Sequence, residues 1–338
     1  MMATMRPMLA TPGTHVPAGD EWVHEVKWDG IRLLGGVSTG SASGVGSTSG
    51  VGSTSGVGST GARVRLTTRN GNDATIAWPE VAQGAGVTHD LLVDGEVIAL
   101  NDSGLPDFRV LADRMHVRDA RKVARLAAAR PATYMVFDVL RLDGEDLTAR
   151  PWTERRAVLE RLAADGSLGS WQVPPYYDDG AMLHQATRVQ GLEGIVSKRR
   201  ASRYEPGVRS KAWLKFPHRF RGSYVVGGWR PQEGTADRLA ALLVGEPTPD
   251  GLLYRGRVGS GITARHSPLL KSLLTERSTS PFADEVPRED IPGTRWVEPL
   301  VVVEVETHGV GTGLAPGSRL RQPSYQGVRA DLGPEDLV

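Results

Sequence analysis

Lys27 ends an apolar-alternating run, Trp22-Val23-His24-Glu25-Val26, and stands two residues ahead of the turn-forming pair Asp29-Gly30. A lysine amine so placed is a candidate covalent nucleophile, a role an always-charged guanidinium cannot fill. Lysine is scarce in this chain. Of 40 basic residues only six are lysine (27, 122, 198, 211, 215 and 271), and four of these fall in two short segments, around 27 and between 198 and 215. An unperturbed lysine, with a pKa of ~10.4, is neutral in only about one molecule in 2,500 at pH 7. A nucleophilic lysine therefore needs neighbours that favour the free amine, such as nearby cations or a metal-bound nucleotide.

Other chemistries are narrowed by composition. The chain has no cysteine, which excludes disulfides, thiolate zinc sites and cysteine nucleophiles. Its eight histidines show no ligand-like spacing, and no Walker-type phosphate loop is present. Net charge is +1, but residues 198–221 hold nine Lys or Arg against the single acid Glu205. Such a block is either a solvated face or a surface that tracks phosphates, and the interleaved Tyr204, Trp213 and Phe216 favour the second. No run approaches ~18 apolar residues, and the first 11 residues carry no apolar leader, so the expectation is a cytoplasmic protein without a membrane span.

The elements that must position these residues follow from periodicity. Strands are expected at 31–37 and 62–68, flanking three copies of Ser-Gly-Val-Gly-Ser-Thr at 43–60, which read as a flexible hairpin tip. A strand pair or bulged strand is expected at 91–100 and a buried strand at 134–140. Helices are expected at 119–129, at 153–164 with Thr153 as N-cap, and at 179–190. Strands at 194–198 and 212–216 flank a turn at Pro206-Gly207. Beyond about 220, short strands (223–229, 239–245, 251–258, 296–306) and one helix near 267–276 suit a small closed barrel of the OB type.

Six segments then occur in order: Lys27-Trp28-Asp29-Gly30-Ile31-Arg32, Arg69-Asn70-Gly71, Asp94-Gly95-Glu96, Phe137-Asp138-Val139, Glu193-Gly194-Ile195-Val196-Ser197-Lys198 and Trp213-Leu214-Lys215. This set resembles the covalent nucleotidyltransferases, most closely the ATP-dependent DNA ligases of bacterial end-joining type. Gly227-Gly228-Trp229-Arg230 and Tyr254-Arg255-Gly256-Arg257-Val258-Gly259 extend the resemblance to the barrel domain of these ligases. It implies an α+β chain. Residues 1–218 would be an adenylation domain of antiparallel sheets flanked by helices, with a disordered Gly/Ser insertion at 38–61, and 219–338 an OB-fold β-barrel.

The resemblance also implies roles. Lys27 would carry AMP as a phosphoramidate before passing it to a 5′-phosphate, which the 3′-hydroxyl then attacks. Glu25 matches the contact to the adenine amine and Phe137 the aromatic stacked on adenine. Arg32 and Arg69 match contacts to ribose and nick phosphates. Glu96 matches a ribose- and metal-linked carboxylate, and Glu193 the carboxylate that organises Mg²⁺, with Mn²⁺ as the other acceptable ion. Asp29 would position the lysine or contact a metal-bound water. Lys198 and Lys215 would face the α-phosphate, and Arg329 matches the C-terminal motif that serves ATP. The expected partners are nicked double-stranded DNA and an end-bridging repair protein, the latter because a motif at residue 27 leaves no room for a preceding DNA-clamping domain; the expected state is a monomer.

Two positions depart from the pattern. Pro217 stands where a second lysine is common, and Leu332 stands at the lysine of the C-terminal motif. Both departures bear on self-adenylylation more than on later steps. Two alternatives stay open: an RNA ligase or capping-type guanylyltransferase, and a degenerate copy that binds nicks or ends as a repair scaffold.

Overall fold

The computed structural model describes residues 5–39, 62–86, 88–235, 238–308 and 318–337. They form two compact units, Met1–Pro217 and His218–Val338. The Gly/Ser repeat at 43–60 lies outside the described residues. The hairpin that it interrupts is seen to its last pair, Thr39 with Ala62, so the strand runs past the insertion boundary expected at residue 38.

The first unit holds two five-stranded sheets. One has the order Leu9–Pro12, Arg209–Pro217, Gly194–Arg199, Trp22–Val26, Tyr176–Tyr177; the other has the order Ala62–Thr68, Ile31–Thr39, Leu91–Ile98, Thr133–Leu142, Glu145–Asp146. All pairings are antiparallel except that of Leu9–Pro12 with Arg209–Pro217. In the second sheet Leu33, Val37, Val64, Leu66, Val93, Val97 and Val136 join one buried cluster with Trp78, Leu159 and Trp171. Alternation turns Arg32, Asp94 and Glu96 to the opposite face of the same strands, where Arg32 pairs with Glu96, and Asp94 with Leu34 of a smaller apolar cluster. Each fully buried aliphatic or aromatic side chain contributes about 1.5–3 kcal/mol, so this apolar face is what fixes the strand register.

The run expected at 91–100 is one strand, Leu91–Ile98, irregular in its pairing with Thr133–Leu142 on either side of Asp94. Helix Ala120–Ala129 starts at Asp119, whose side chain accepts from the Lys122 amide, and Gly180–Val189 starts likewise at Asp179. The N-cap expected at Thr153 is corrected. The helix is Trp152–Ala164 with Pro151 ahead of it, and the Thr153 amide instead donates to the Arg200 carbonyl at 3.2 Å.

The second unit is a sheet in the order Gly251–Val258, Leu239–Thr248, Arg219–Pro231, Val302–His308, Arg321–Val328, with Arg295–Trp296 added to Arg219–Pro231. The strand expected at 296–306 is thus two strands. The closed barrel is also corrected: the outer strands meet through an isolated bridge, Ser260 with Ser324, and through bonds such as Leu320 N to Arg255 O at 2.8 Å. The result is the partly open form of the OB architecture. Leu270 of helix His266–Leu273 enters its core beside Tyr224, Trp229 and Val305.

Candidate active site

A cleft of about 250 Å³ opens in the first unit, lined by residues from both of its sheets. Glu25, Lys27, Arg32, Arg69, Glu96, Phe137, Lys198 and Lys215 all line it. Glu193 joins them through Lys27, whose Nζ lies 2.6 Å from Glu193 Oε2. Nine of the eleven residues given a role from sequence therefore meet at one place. Asp29 stands two residues beyond Lys27, and Arg329 belongs to the second unit, where its guanidinium donates to both Asp331 oxygens at 2.8 and 2.7 Å.

Lys27 follows the strand Trp22–Val26, and its amide donates to the Gly194 carbonyl at 2.9 Å. Gly194 has φ of 143°, a left-handed value that favours glycine, and a Cβ there would sit 2.2 Å from the Phe216 carbonyl oxygen. Gly30 is required for a different reason. A Cβ on it would fall 2.2 Å from the Val97 carbonyl oxygen, so only glycine lets the segment after Lys27 cross the Glu96 strand. Asp29 is buried and accepts from the Phe108 amide at 3.2 Å, tying this segment to the start of helix Phe108–Met115.

Behind Lys27 the cleft wall is charged and dry. Lys198 and Glu25 are both almost fully buried and 2.7 Å apart, and Lys198 Nζ sits 4.6 Å over the Phe137 ring and 4.3 Å over Trp213. Burial pulls the Lys198 amine below the ordinary lysine range, with Glu25 pulling back. Lys198 thus does not belong to the solvated face considered for the 198–221 block, whereas Arg199 is exposed and lies over Trp22. Lys215 is also lowered, first by burial and then by neighbouring Lys27 and Arg209. Glu96 moves the other way. Burial pushes its carboxyl up to about 8, against the pull of Lys27 and Arg32.

Arg32 is held fork-to-fork by Asp94 (Nε to Oδ1 3.0 Å, Nη2 to Oδ2 2.6 Å), and Tyr204 Oη donates to the same carboxylate at 2.6 Å. Asp94, Tyr204, Trp28, Arg209 and Trp213 are site residues that the sequence reading did not select. Asp94 and Trp213 had a signal, since each lies two residues from a chosen strand residue, Glu96 and Lys215, and so on the same face. Asp138 of the Phe137-Asp138-Val139 segment does structural work, accepting from buried Arg155 at 2.7 and 2.8 Å.

The donors fit a nucleoside triphosphate. Glu25 Oε1 is a buried acceptor without a donor and Trp28 Nε1 a buried donor without an acceptor, so polar groups of a base have partners waiting. Val26, Phe137 and Val196 supply apolar wall, and Lys27, Arg69, Arg209 and Lys215 supply cations for phosphates. A divalent ion also fits. Among the described residues no group of three or more His, Cys, Asp or Glu could hold a metal alone. Glu96 and Glu193, two carboxylates beside Lys27, match the way Mg²⁺ is bound by one or two carboxylates together with substrate phosphates.

Residues 55–216 match the family model described as ATP dependent DNA ligase domain, and residues 235–332 match the ATP dependent DNA ligase C terminal region. DNA ligase C of Mycobacterium tuberculosis is 30% identical over 282 residues, covering 81% of this chain and 71% of that protein. The chain belongs to the ATP-dependent DNA ligase family. The multifunctional non-homologous end joining DNA repair protein LigD of M. tuberculosis is 35% identical over 340 residues, 99% of this chain. This ligase-family chain spans about 40% of the length of that relative. A solved structure of a mycobacterial DNA ligase D complexed with ATP and MES is 33% identical, covers 99% of this chain and 98% of its own, and superposes with a TM-score of 0.53. Among the described residues no helix is long and apolar enough to cross a membrane.

Proposed function

We propose that the chain seals nicks in double-stranded DNA through a lysyl-AMP intermediate, with the first unit as the adenylation domain and the second as its OB-fold companion. The observation that carries this reading is Lys27 in a cleft where Glu193 touches its amine and Glu96, Lys198 and Lys215 surround it. Glu25 and Trp28 would take the edge of adenine, and Phe137 its face. Arg32, preset by Asp94, would take the ribose, and Arg69 the nick phosphate.

Lys27 Nζ would form a bond to the α-phosphorus of ATP as the bond to pyrophosphate breaks. Glu193 Oε2, at 2.6 Å, is the group in reach of the proton that the amine must lose. Lys215, lowered first by burial and then by its cationic neighbours, adds to the positive field that favours the neutral Lys27 amine and would meet the charge growing on phosphate. Mg²⁺, or Mn²⁺, held by Glu96 and Glu193 with the phosphates, would neutralise charge on the leaving group. Arg329 and the segment around Arg321 would serve this first step.

Names of the relatives support DNA over an RNA or capping substrate, and a place in end joining with an end-bridging repair protein as partner. The scaffold alternative loses support at Leu332, whose side chain packs against the cluster of Val225, Leu252 and Phe282 and so has a reason to be apolar. Incubation with a nicked duplex tests the proposal: sealing that requires ATP and a 5′-phosphate is the expected result. Equal sealing with GTP, or sealing of RNA nicks alone, would contradict it.

A further inference from the structure

One group of cations that the cleft does not use lies on one face of the helix Ala120–Ala129. Arg121, Lys122 and Arg125 are exposed and share a face, while Val123 on the other side is buried. Arg118, just ahead of the cap Asp119, is exposed as well. Cations on either side of this group are committed: Arg109 pairs with Asp107, Arg114 with Glu80 and Arg130 with Asp102. Among the described residues Arg118, Arg121, Lys122 and Arg125 have no carboxylate in ion-pair range.

Local physics disfavours this arrangement. Arg121 and Arg125 are like charges four apart, Lys122 and Arg125 three apart, and both spacings oppose the helix. Beyond the capping Asp119 the first turn carries no acid, and Arg121 and Lys122 sit at the positive end of the helix dipole. Local rules broken without a local gain mark positions held for another purpose.

The track also leads to the cleft. Arg118 Nη1 lies 3.5 Å from the Asp73 carbonyl oxygen, and Arg65 Nε lies 3.3 Å from the Asp73 carboxylate. Asp73 directly follows the turn in which the Thr68 amide donates to Asn72 O, and that turn presents Arg69 to the cleft. From 118 to 125 the track covers roughly 10 Å, the rise of about three phosphates on one strand. We propose that Arg118, Arg121, Lys122 and Arg125 form a docking track for the phosphate backbone of duplex DNA next to the nick. The proposal rests on the ligase reading above and adds to it a surface outside the cleft.

The test measures binding of a nicked duplex, across a salt series, to the full chain and to the double variant Arg121→Gln, Arg125→Gln. Loss of two phosphate contacts should lower the slope of log K against log[salt] by about 2 and weaken binding roughly tenfold at low salt, equally for nicks of different sequence. Lysyl-AMP formation should stay at the wild-type rate, which separates this proposal from the ligase reading; a wild-type chain that forms no lysyl-AMP defeats that reading instead. A second variant, Arg121→Glu with Lys122→Glu, puts acids where the helix dipole favours them. It should bind DNA still more weakly with a melting temperature equal to or above wild type. Unchanged affinity and slope in both variants, or loss of binding only in step with a lowered melting temperature, would overturn the proposal.

Discussion

Lys198 and Glu25 face each other across neighbouring strands at 2.7 Å, both nearly sealed from solvent, and Glu25 keeps one oxygen, Oε1, without a donor. A buried pair left deliberately short of one hydrogen bond is poised for a ligand, because an adenine amine would complete it. It is also a point of vulnerability. Truncation of Glu25 leaves the buried Lys198 ammonium without its ion-pair partner.

Glu25→Ala is therefore expected to destabilise the first unit by roughly 3–5 kcal/mol, the range for breaking a buried ion pair by removing one partner. Urea unfolding checks it. Glu25→Gln, which keeps the shape and an acceptor, should lose less stability while still weakening ATP binding.

Glu96 predicts a pH effect whose sign can be worked out. Its folded value of about 8 lies above the ordinary 4.5, so between these values the folded chain holds a proton that the unfolded chain has released. Stability then falls as pH rises from about 4.5 to about 8, by an amount on the order of a few kcal/mol. Glu96→Gln removes that loss. Unfolding midpoints at pH 5.5, 7 and 8.5 should decline less in the variant, which should be the more stable protein at pH 8.5 and yet adenylylate poorly. Parallel declines in both proteins would count against burial as the cause.

Gly30→Ala should displace the Lys27 segment, since the added methyl would meet the Val97 carbonyl at 2.2 Å and nothing there is a flexible side-chain end. A displacement of about 1 Å at a reacting group is worth on the order of 100-fold in rate. Single-turnover adenylylation measures it; a loss below tenfold with the fold intact would refute the close-approach explanation.

Asp94→Asn should loosen Arg32 by removing one charge from the two-point hold and from the Tyr204 bond. Asp138→Asn does the equivalent to Arg155. Both should lower stability, but only the first should raise the ATP concentration needed for half-maximal adenylylation. Titration of ATP against each variant distinguishes a site anchor from a core anchor.

Much of this site could be read from sequence because its residues sit in short segments whose order and strand parity place them on one face. Lys27, Glu96, Lys198 and Lys215 are of that kind. The pairings between segments were less visible. That Glu25 meets Lys198 depends on the register of strands 173 positions apart, and that Arg32 is gripped by Asp94 depends on which strand lies beside Ile31–Thr39. The outer strand Arg321–Val328 was hidden by Pro323 and Gly327, which read as breakers yet are tolerated where one strand edge has little to pair with. Helix Phe108–Met115 was overlooked for its brevity, although Asp107 is a regular N-cap accepting from the Arg109 amide. Thr153 misled because its amide is satisfied by Arg200, a contact from another part of the chain.

The most direct measurement is the site of AMP attachment. After incubation with ATP and Mg²⁺ and then digestion, mass analysis should find AMP on the peptide containing Lys27, with Lys27→Ala carrying none. AMP on another lysine, equal labelling of Lys27→Ala, or no adduct on the wild-type chain would contradict the account.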